Sequence, residues 1–273
     1  MKMKIGVVGV LGLLAVTSAS DARDATELVK QGSERDKAEA LVRELAARNS
    51  GYHDFSGAVD MTLKDATGAE ARRRFSLKVL ERPTAVVGDQ VLIVFEAPAD
   101  VKGTALLSHA KVDEEDEQWV YLPGTKRTKR IAASNKTSAF AGSEFSYEDL
   151  SGSEVRKYEW RFLGTAPCGE ATCFRLEALP KDKNSAYSKR VLALDTAELR
   201  VVSTEFFDRA GAKAKTLAYD GYTKLSGKYW RAQTWTMKNH QTQKSTVLAF
   251  SKLAMQTGLS PSEFSAGKLG DGR

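Results

Sequence analysis

The sequence predicts a mainly β protein, built as one large curled antiparallel sheet with an amphipathic helix near its amino-terminal end. Many short segments alternate apolar and polar residues, which is the period of a strand with one buried face. Short turns containing Gly, Pro or charged residues separate these segments, as in sandwiches and up-and-down barrels. No repeat of 20–50 residues indicates a propeller. A sheet of this size must also cover its inner face, with side chains or around a cavity.

The first 22 residues have the composition of a secretory signal. Lys2 and Lys4 precede an uncharged apolar run over residues 5–16, and small residues follow as far as Ala19 and Ala22. The alternative is a retained membrane anchor, but the run is shorter than the about 20 residues that a span needs. We therefore expect cleavage after Ala19 or Ala22 and export of a single mature domain over residues 23–273.

The helix is predicted within residues 24–49. Ala38, Leu41, Val42 and Leu45 recur at helical spacing among charged residues, and an interruption is expected near Gly32-Ser33. Its apolar stripe must pack on another element. The helix either covers the end of the sheet or gates a cavity there.

The first two strands alternate most clearly. One apolar face is expected on residues 55–63 and a facing one on residues 75–79, so the two make an antiparallel pair. The other candidate strands are residues 86–95, 103–112, 118–122, 126–131, 155–165, 172–179, 187–195, 199–209, 213–222, 228–238 and 244–254. One of the thirteen candidates is not expected to form a strand, so the predicted total is about twelve.

Residues 117–150 combine strand, basic and aromatic segments. The strand 118–122 runs into a Pro-Gly turn, and the basic strand that follows must turn a basic row away from the core or toward a partner. Residues 132–142 are predicted to be an exposed loop. Phe145 and Tyr147 would then share one face and form a contact surface.

Two further segments are charged or glycine-rich. The acidic run 113–117 is predicted to be a solvated hairpin tip, with calcium binding as the weaker alternative because an unbroken acid run supplies no defined oxygen cage. The tail 258–273 is predicted to fray, with Leu259 and Phe264 as its anchors.

The only cysteines, Cys168 and Cys173, are separated by four residues that include a glycine. In an exported protein this spacing favours a disulfide that closes a hairpin. A redox or metal pair is the weaker alternative, because a redox pair usually has two intervening residues and no histidine lies nearby.

Charge and motifs exclude several classes of function. The 273-residue chain has a formal net charge of +6, which is weak for a nucleic-acid-binding protein. His53, His109 and His240 are isolated in sequence, and no nucleophile elbow, phosphate loop or dinucleotide fingerprint occurs. We expect no enzyme activity, no metal and no cofactor.

Four motifs carry a resemblance to a known family. They are Lys102-Gly103-Thr104-Ala105-Leu106-Leu107, Trp119-Val120-Tyr121-Leu122-Pro123, Lys129-Arg130-Ile131 and Gly142-Ser143-Glu144-Phe145-Ser146-Tyr147-Glu148-Asp149-Leu150. Together they resemble the signature of the outer-membrane lipoprotein-sorting family, the LolA-like proteins of Gram-negative bacteria. The resemblance implies a periplasmic protein with an incomplete antiparallel β-barrel of about 11–12 strands. A helical lid would close this barrel over an apolar cavity that holds acyl chains.

The motifs around Trp119 and Phe145 are similar to those of a branch associated with transporters of the resistance-nodulation-division type. The resemblance therefore implies an inner-membrane transporter and an outer-membrane acceptor as partners, with a lipoprotein or another lipid as cargo. The alternative is a periplasmic sensor or accessory module that uses the same fold to bind a transporter or regulator.

Carrying a lipid requires burial of its chains, at about 0.8 kcal/mol per CH₂, in a cavity that can also release them. For each residue expected to line the cavity, the alternative is an ordinary core position. The expected lining is Phe55, Val59, Met61, Leu63, Phe75, Leu77, Val79, Trp119, Tyr121, Phe145, Tyr147, Trp160, Phe162 and Trp235. The residues expected to meet acidic head groups or an acidic partner are Lys126, Arg127, Lys129 and Arg130.

Overall fold

The computed structural model describes residues 24–82, 87–151 and 155–271. The predicted signal segment and its cleavage positions lie outside the described residues. Within the described ranges, no helix is long and apolar enough to cross a membrane.

Fifteen strands are described, most of them amphipathic as the alternating sequence predicts. They are β1 (Asp54–Lys64), β2 (Glu70–Leu80), β3 (Val87–Ala97), β4 (Ala105–Lys111), β5 (Glu117–Leu122), β6 (Arg127–Arg130), β7 (Tyr158–Cys168), β8 (Ala171–Pro180), β9 (Tyr187–Asp195), β10 (Val201–Asp208), β11 (Lys213–Asp220), β12 (Thr223–Leu225), β13 (Tyr229–Arg231), β14 (Thr234–Asn239) and β15 (Ser245–Met255).

Thirteen of these strands form one antiparallel sheet in the order β6-β5-β4-β3-β2-β1-β15-β14-β11-β10-β9-β8-β7. Strands β6 and β7 are its two edges, so the sheet is not closed into a barrel, and β12 and β13 form a separate hairpin. The fold is therefore the mainly β, incomplete barrel that was predicted, with more strands than expected. The predicted strand 213–222 ends early because Gly221 has a positive φ of 65°.

The helix α1 (Glu34–Arg48) begins at Ser33, which forms a capping box with Asp36. A short 3₁₀ turn, Glu27–Val29, precedes it, so the helical segment is interrupted near Gly32-Ser33 as predicted. The apolar stripe of α1 is buried against strands β7 to β9. The described helix therefore covers that end of the sheet.

The face of the sheet beneath α1 is called the inner face. Its central part carries an apolar cluster that extends from β1 to β4 and across β9, β10, β11, β14 and β15. Residues 131–151, called the strap, lie on this cluster. Phe140 and Phe145 of the strap are only 4% and 1% exposed. The prediction of an exposed loop is wrong at Phe140, because its ring packs on the sheet.

The opposite, outer face is covered over β2 to β5 by the carboxyl-terminal tail. Phe264 and Leu269 are buried there against Leu92 and Leu107. The prediction that this tail frays is wrong, because it forms two 3₁₀ turns and buries these side chains. The acidic run is exposed at residues 113–115, whereas Asp116 is buried and accepts a hydrogen bond from the backbone amide of Lys111.

Candidate functional site

The strap is fixed to the sheet by Glu148. One carboxylate oxygen lies 3.2 Å from the guanidinium of Arg190 and accepts a hydrogen bond from the Ser185 hydroxyl at 2.5 Å. The other accepts a bond from the amide of Ala186 at 2.9 Å. A carboxylate that is largely removed from water, as Glu148 is, must be compensated by a cation or by hydrogen-bond donors. Glu148 therefore serves as a polar anchor for the strap.

A second anchor lies beside the first. The hydroxyl of Tyr187 donates to the Asp149 carboxylate at 3.0 Å, and Lys215 Nζ lies 3.7 Å from the same carboxylate. Lys215 also donates to the backbone carbonyl of Glu144 at 2.8 Å. Burial and the nearby Asp149 carboxylate raise the pKa of Tyr187, so its hydroxyl keeps the proton that it donates.

Aromatic contacts complete the docking of the strap. The Phe140 ring lies 5.6 Å from Phe95 on the sheet and 5.8 Å from Tyr147 within the strap. These separations are typical of favourable aromatic pairs. The central inner face is thus filled by the protein's own side chains.

Beside this filled region lies a cavity of about 790 Å³. It is called the helix-end cavity because it lies between the carboxyl-terminal end of α1, the β12–β13 hairpin and strands β10, β11 and β14. Tyr219 and Trp235 line its inner-face side, with ring centroids 5.4 Å apart. Trp235 also lies 5.1 Å from Phe250. An aromatic surface therefore joins the cavity to the apolar cluster.

The rim of the helix-end cavity is rich in cations. Arg200 is paired with Asp195 at 2.8 Å and stacks over Trp230, with the guanidinium 4.9 Å from the ring centroid. Arg231 lies 5.3 Å from the Tyr52 ring centroid. Burial lowers the pKa of Arg231, as expected for a guanidinium that has lost part of its hydration.

Comparison with known proteins identifies the family. A family model described as "Uncharacterized protein" matches residues 88–271. The crystal structure of a "putative outer membrane lipoprotein-sorting protein domain" from Vibrio parahaemolyticus is 43% identical, has a TM-score of 0.84, and matches over 86% of this chain and 99% of the other. The chain belongs to this LolA-like lipoprotein-sorting family.

Two more distant structures share the fold. A DUF1329 family protein from Desulfovibrio piger is 24% identical with a TM-score of 0.82, over 87% of this chain and 100% of the other. A LolA superfamily protein from Nitrosomonas europaea is 18% identical with a TM-score of 0.66, over 84% and 97%. No curated protein matches the chain.

The LolA-like sheet brings most of the expected cavity residues to its inner face, in three groups. The residues of β1 and β2 share the inner face, since the strand register pairs Phe55 with Val79 and Val59 with Phe75. Trp160 and Phe162 lie beneath α1. Trp235 lines the helix-end cavity. The residues of the first group are Phe55, Val59, Met61, Leu63, Phe75, Leu77 and Val79.

The four remaining residues, all aromatic, divide between the two faces. Phe145 and Tyr147 belong to the strap, where they pack on the inner face instead of forming an exposed contact surface. Trp119 and Tyr121 lie on the outer face, beneath the tail. Their place in the predicted cavity lining is wrong, because Gln118 points inward and donates to the Tyr147 carbonyl at 3.0 Å. Alternation then turns both aromatic side chains outward.

The four basic residues expected at a contact surface lie at one edge of the LolA-like sheet. Lys126, Arg127, Lys129 and Arg130 are all exposed, the last three on the edge strand β6. Arg130 is paired with Glu117 at 2.9 Å. The predicted disulfide between the two cysteines is present and closes the β7–β8 hairpin.

Sequence reasoning missed the side of the cavity that the β12–β13 hairpin forms. Trp230 and Arg231 line it together with Tyr219 and Tyr222. The available signal was the run Lys228-Tyr229-Trp230-Arg231, in which aromatic and basic residues adjoin. This run was interpreted as part of the predicted strand 228–238, because aromatic residues are also typical of strands.

Proposed function

We propose that this protein is a periplasmic carrier that binds the acyl chains of a lipid or lipoprotein and transfers them between membranes. The observation that carries the proposal is the helix-end cavity, which opens from the aromatic surface of Tyr219 and Trp235 in a member of a lipoprotein-sorting family. Its volume of about 790 Å³ lies within the range of small-molecule sites.

Binding of this kind needs no covalent chemistry, so the protein acts as a carrier and not as an enzyme. Each methylene that leaves water contributes about 0.8 kcal/mol. An open cavity lined partly by aromatic rings lets a chain enter and leave without unfolding of the sheet. Trp160 and Phe162, already covered by α1, would contact a chain only if the helix moved.

The edge strand β6 is the proposed contact with a membrane or a partner. Its exposed cations, with Lys126 in the preceding turn, would attract acidic head groups or an acidic surface on an inner-membrane transporter of the resistance-nodulation-division type. An outer-membrane acceptor would complete the transfer. Edge strands also offer unpaired backbone groups to a binding partner.

Native mass spectrometry with organic extraction of protein purified from the periplasm tests the carrier proposal. A bound lipid or acylated peptide is the expected result, and uptake of a fluorescent lipid from donor vesicles is the second measurement. Trp235→Arg should abolish uptake, whereas Leu163→Arg should not, since Leu163 is 46% exposed. Repeated lipid-free preparations that also take up no lipid would overturn the proposal.

One observation favours the second candidate, a sensor or accessory module. The strap fills the central inner face with Phe140 and Phe145, which leaves no room there for an acyl chain. A protein of this kind would bind a transporter or regulator without cargo. Affinity capture from membranes by lipid-free protein, with no lipid uptake in the vesicle assay, would establish this alternative in place of the carrier.

A further inference from the structure

The rim of the helix-end cavity carries more positive than negative charge. Five cationic side chains and two carboxylates, those of Glu44 and Glu198, are among the residues that line it. Arg48 is paired with Glu44 at 2.9 Å, and Glu198 accepts a hydrogen bond from the Trp230 indole at 3.0 Å. Arg200 is paired with Asp195. Both lining carboxylates are therefore already engaged.

Three cations remain, namely Arg231, Lys224 and Lys228. Among the described residues, none of the three has a carboxylate within 4.0 Å. Arg231 is half-buried, and its Nη1 donates to the Asn49 side chain at 2.8 Å, which is a neutral acceptor. The Asp89 carboxylate, which accepts a hydrogen bond from Tyr52, acts on Arg231 only at longer range. A half-buried cation that forms no direct ion pair gains when an anion joins it, since charge interactions strengthen away from water.

Aromatic rings hold each of these three cations at the rim. Lys224 Nζ lies 4.7 Å from the Trp230 ring centroid, and Lys228 Nζ lies 4.8 Å from that of Tyr229. Arg231 lies over Tyr52 and Tyr229. Cation–π contacts leave the N–H donors available while they restrict the side chains. These side chains then lose less conformational freedom when a ligand binds.

We propose that Arg231, Lys224 and Lys228 bind the oxyanion of an amphiphile, a carboxylate or phosphate head group, while its acyl chain lies along Tyr219 and Trp235. The inference rests on the proposed carrier function, which requires an acyl chain in this cavity. It adds the substrate class, an anionic amphiphile, and the residues that select it. An aromatic floor beneath a cationic rim matches the two ends of such a molecule.

The test compares a fluorescent long-chain fatty acid with its methyl ester, at a pH where the acid is ionised and at low salt. The two probes share the chain and differ in charge. Wild-type protein should bind the acid about tenfold more tightly, as expected for new charge-assisted hydrogen bonds. Added salt should reduce that ratio by screening. Excess inorganic phosphate, which has no chain, should leave the acid bound.

Three variants test the residues. Lys224→Gln/Lys228→Gln changes only exposed side chains and should lower the preference for the acid. The further change Arg231→Gln should bring the ratio close to one. Arg231→Lys should restore part of the preference because it keeps the charge. Melting temperatures measured alongside exclude a loss of fold.

The matched control is Lys64→Gln/Lys102→Gln/Arg161→Gln, which removes three exposed cations that do not line the cavity. It should retain the wild-type preference. Equal binding of acid and ester to the wild type, equal loss in the control, or full displacement by inorganic phosphate would overturn the inference. The first two results leave the carrier proposal intact, whereas failure of both probes to bind would overturn both proposals.

Discussion

The carboxylate of Glu148 in the strap lies 3.2 Å from the guanidinium of Arg190 on strand β9, and these side chains are only 14% and 11% exposed. Arg190 also stacks against Tyr187 and Phe206. Glu148→Gln would remove the carboxylate that pairs directly with this buried guanidinium and leave only the Asp149 carboxylate near it, so we expect the free energy of unfolding to fall by about 3 kcal/mol. Urea denaturation monitored by tryptophan fluorescence measures the change.

Glu114→Gln is the matched control for Glu148→Gln. Glu114 belongs to the exposed acidic run, so its replacement should change stability by less than about 0.5 kcal/mol. Equal unfolding midpoints for the two variants would show that the Glu148–Arg190 pair does not hold the strap in place.

Phe145→Ala should remove the main apolar anchor of the strap. Its side chain is 1% exposed within the inner-face cluster, and a truncated buried phenylalanine costs about 3–5 kcal/mol. Thermal unfolding should show a large fall in melting temperature. Leu163→Ala, at a position 46% exposed, should leave it nearly unchanged. A small effect at Phe145 would mean that the strap contributes little to the packed core.

The fold could be predicted because a strand with one buried face shows an alternation of apolar and polar residues in its sequence. Phe55, Val59 and Phe75 fell on the predicted face, since polar residues alternate with them and fix the parity. Strand β5 gives no such signal. Trp119 and Tyr121 alternate there with Gln118 and Val120, so apolar side chains occur on both faces and the parity stays undetermined until the tail is placed.

The strap and the helix-end cavity depend on contacts between residues far apart in sequence. Glu144 accepts a hydrogen bond from Asn239, and Arg231 reaches Asn49. The local alternation of apolar and polar residues carries no information about hydrogen bonds between residues so far apart in sequence. A small polar loop with Phe140 is typical of an exposed segment, and only the apolar sheet beneath it explains why this ring is buried.

The disulfide should stabilise the β7–β8 hairpin modestly. Cys168 and Cys173 are five positions apart, and closure of so short a loop is worth about 2 kcal/mol by the chain-entropy argument. Cys168→Ala/Cys173→Ala should therefore fold and lose about that amount. Dithiothreitol should lower the denaturation midpoint of the wild type to that of the variant and leave the variant unchanged. A wild-type denaturation midpoint that is the same with and without dithiothreitol would contradict this expectation.

Asp54 should make the stability of the protein depend on pH in acid. Burial acts to raise its pKa, but hydrogen bonds from Thr257, Gly258 and Leu259 outweigh burial, so the pKa of the folded carboxyl lies below its usual value. The unfolded chain then binds the proton more readily, with a pKa of about 3.9. The stabilisation is complete above that pH and is lost as the pH falls through the lower, folded value.

Asp54→Asn should therefore lose about 2 kcal/mol near neutral pH, because the bonds to a charged acceptor are weakened. The difference from the wild type should begin to shrink as the pH falls below about 4, where the carboxyl of the unfolded wild type takes up a proton, and should be smallest below the lower pKa of the folded carboxyl. Urea unfolding at several pH values between neutral and strongly acidic measures both effects, with Asp100→Asn as the control at an exposed carboxyl. A difference that stays constant across this range would show that the tail is held by packing of Phe264 and Leu269, not by the charge of Asp54.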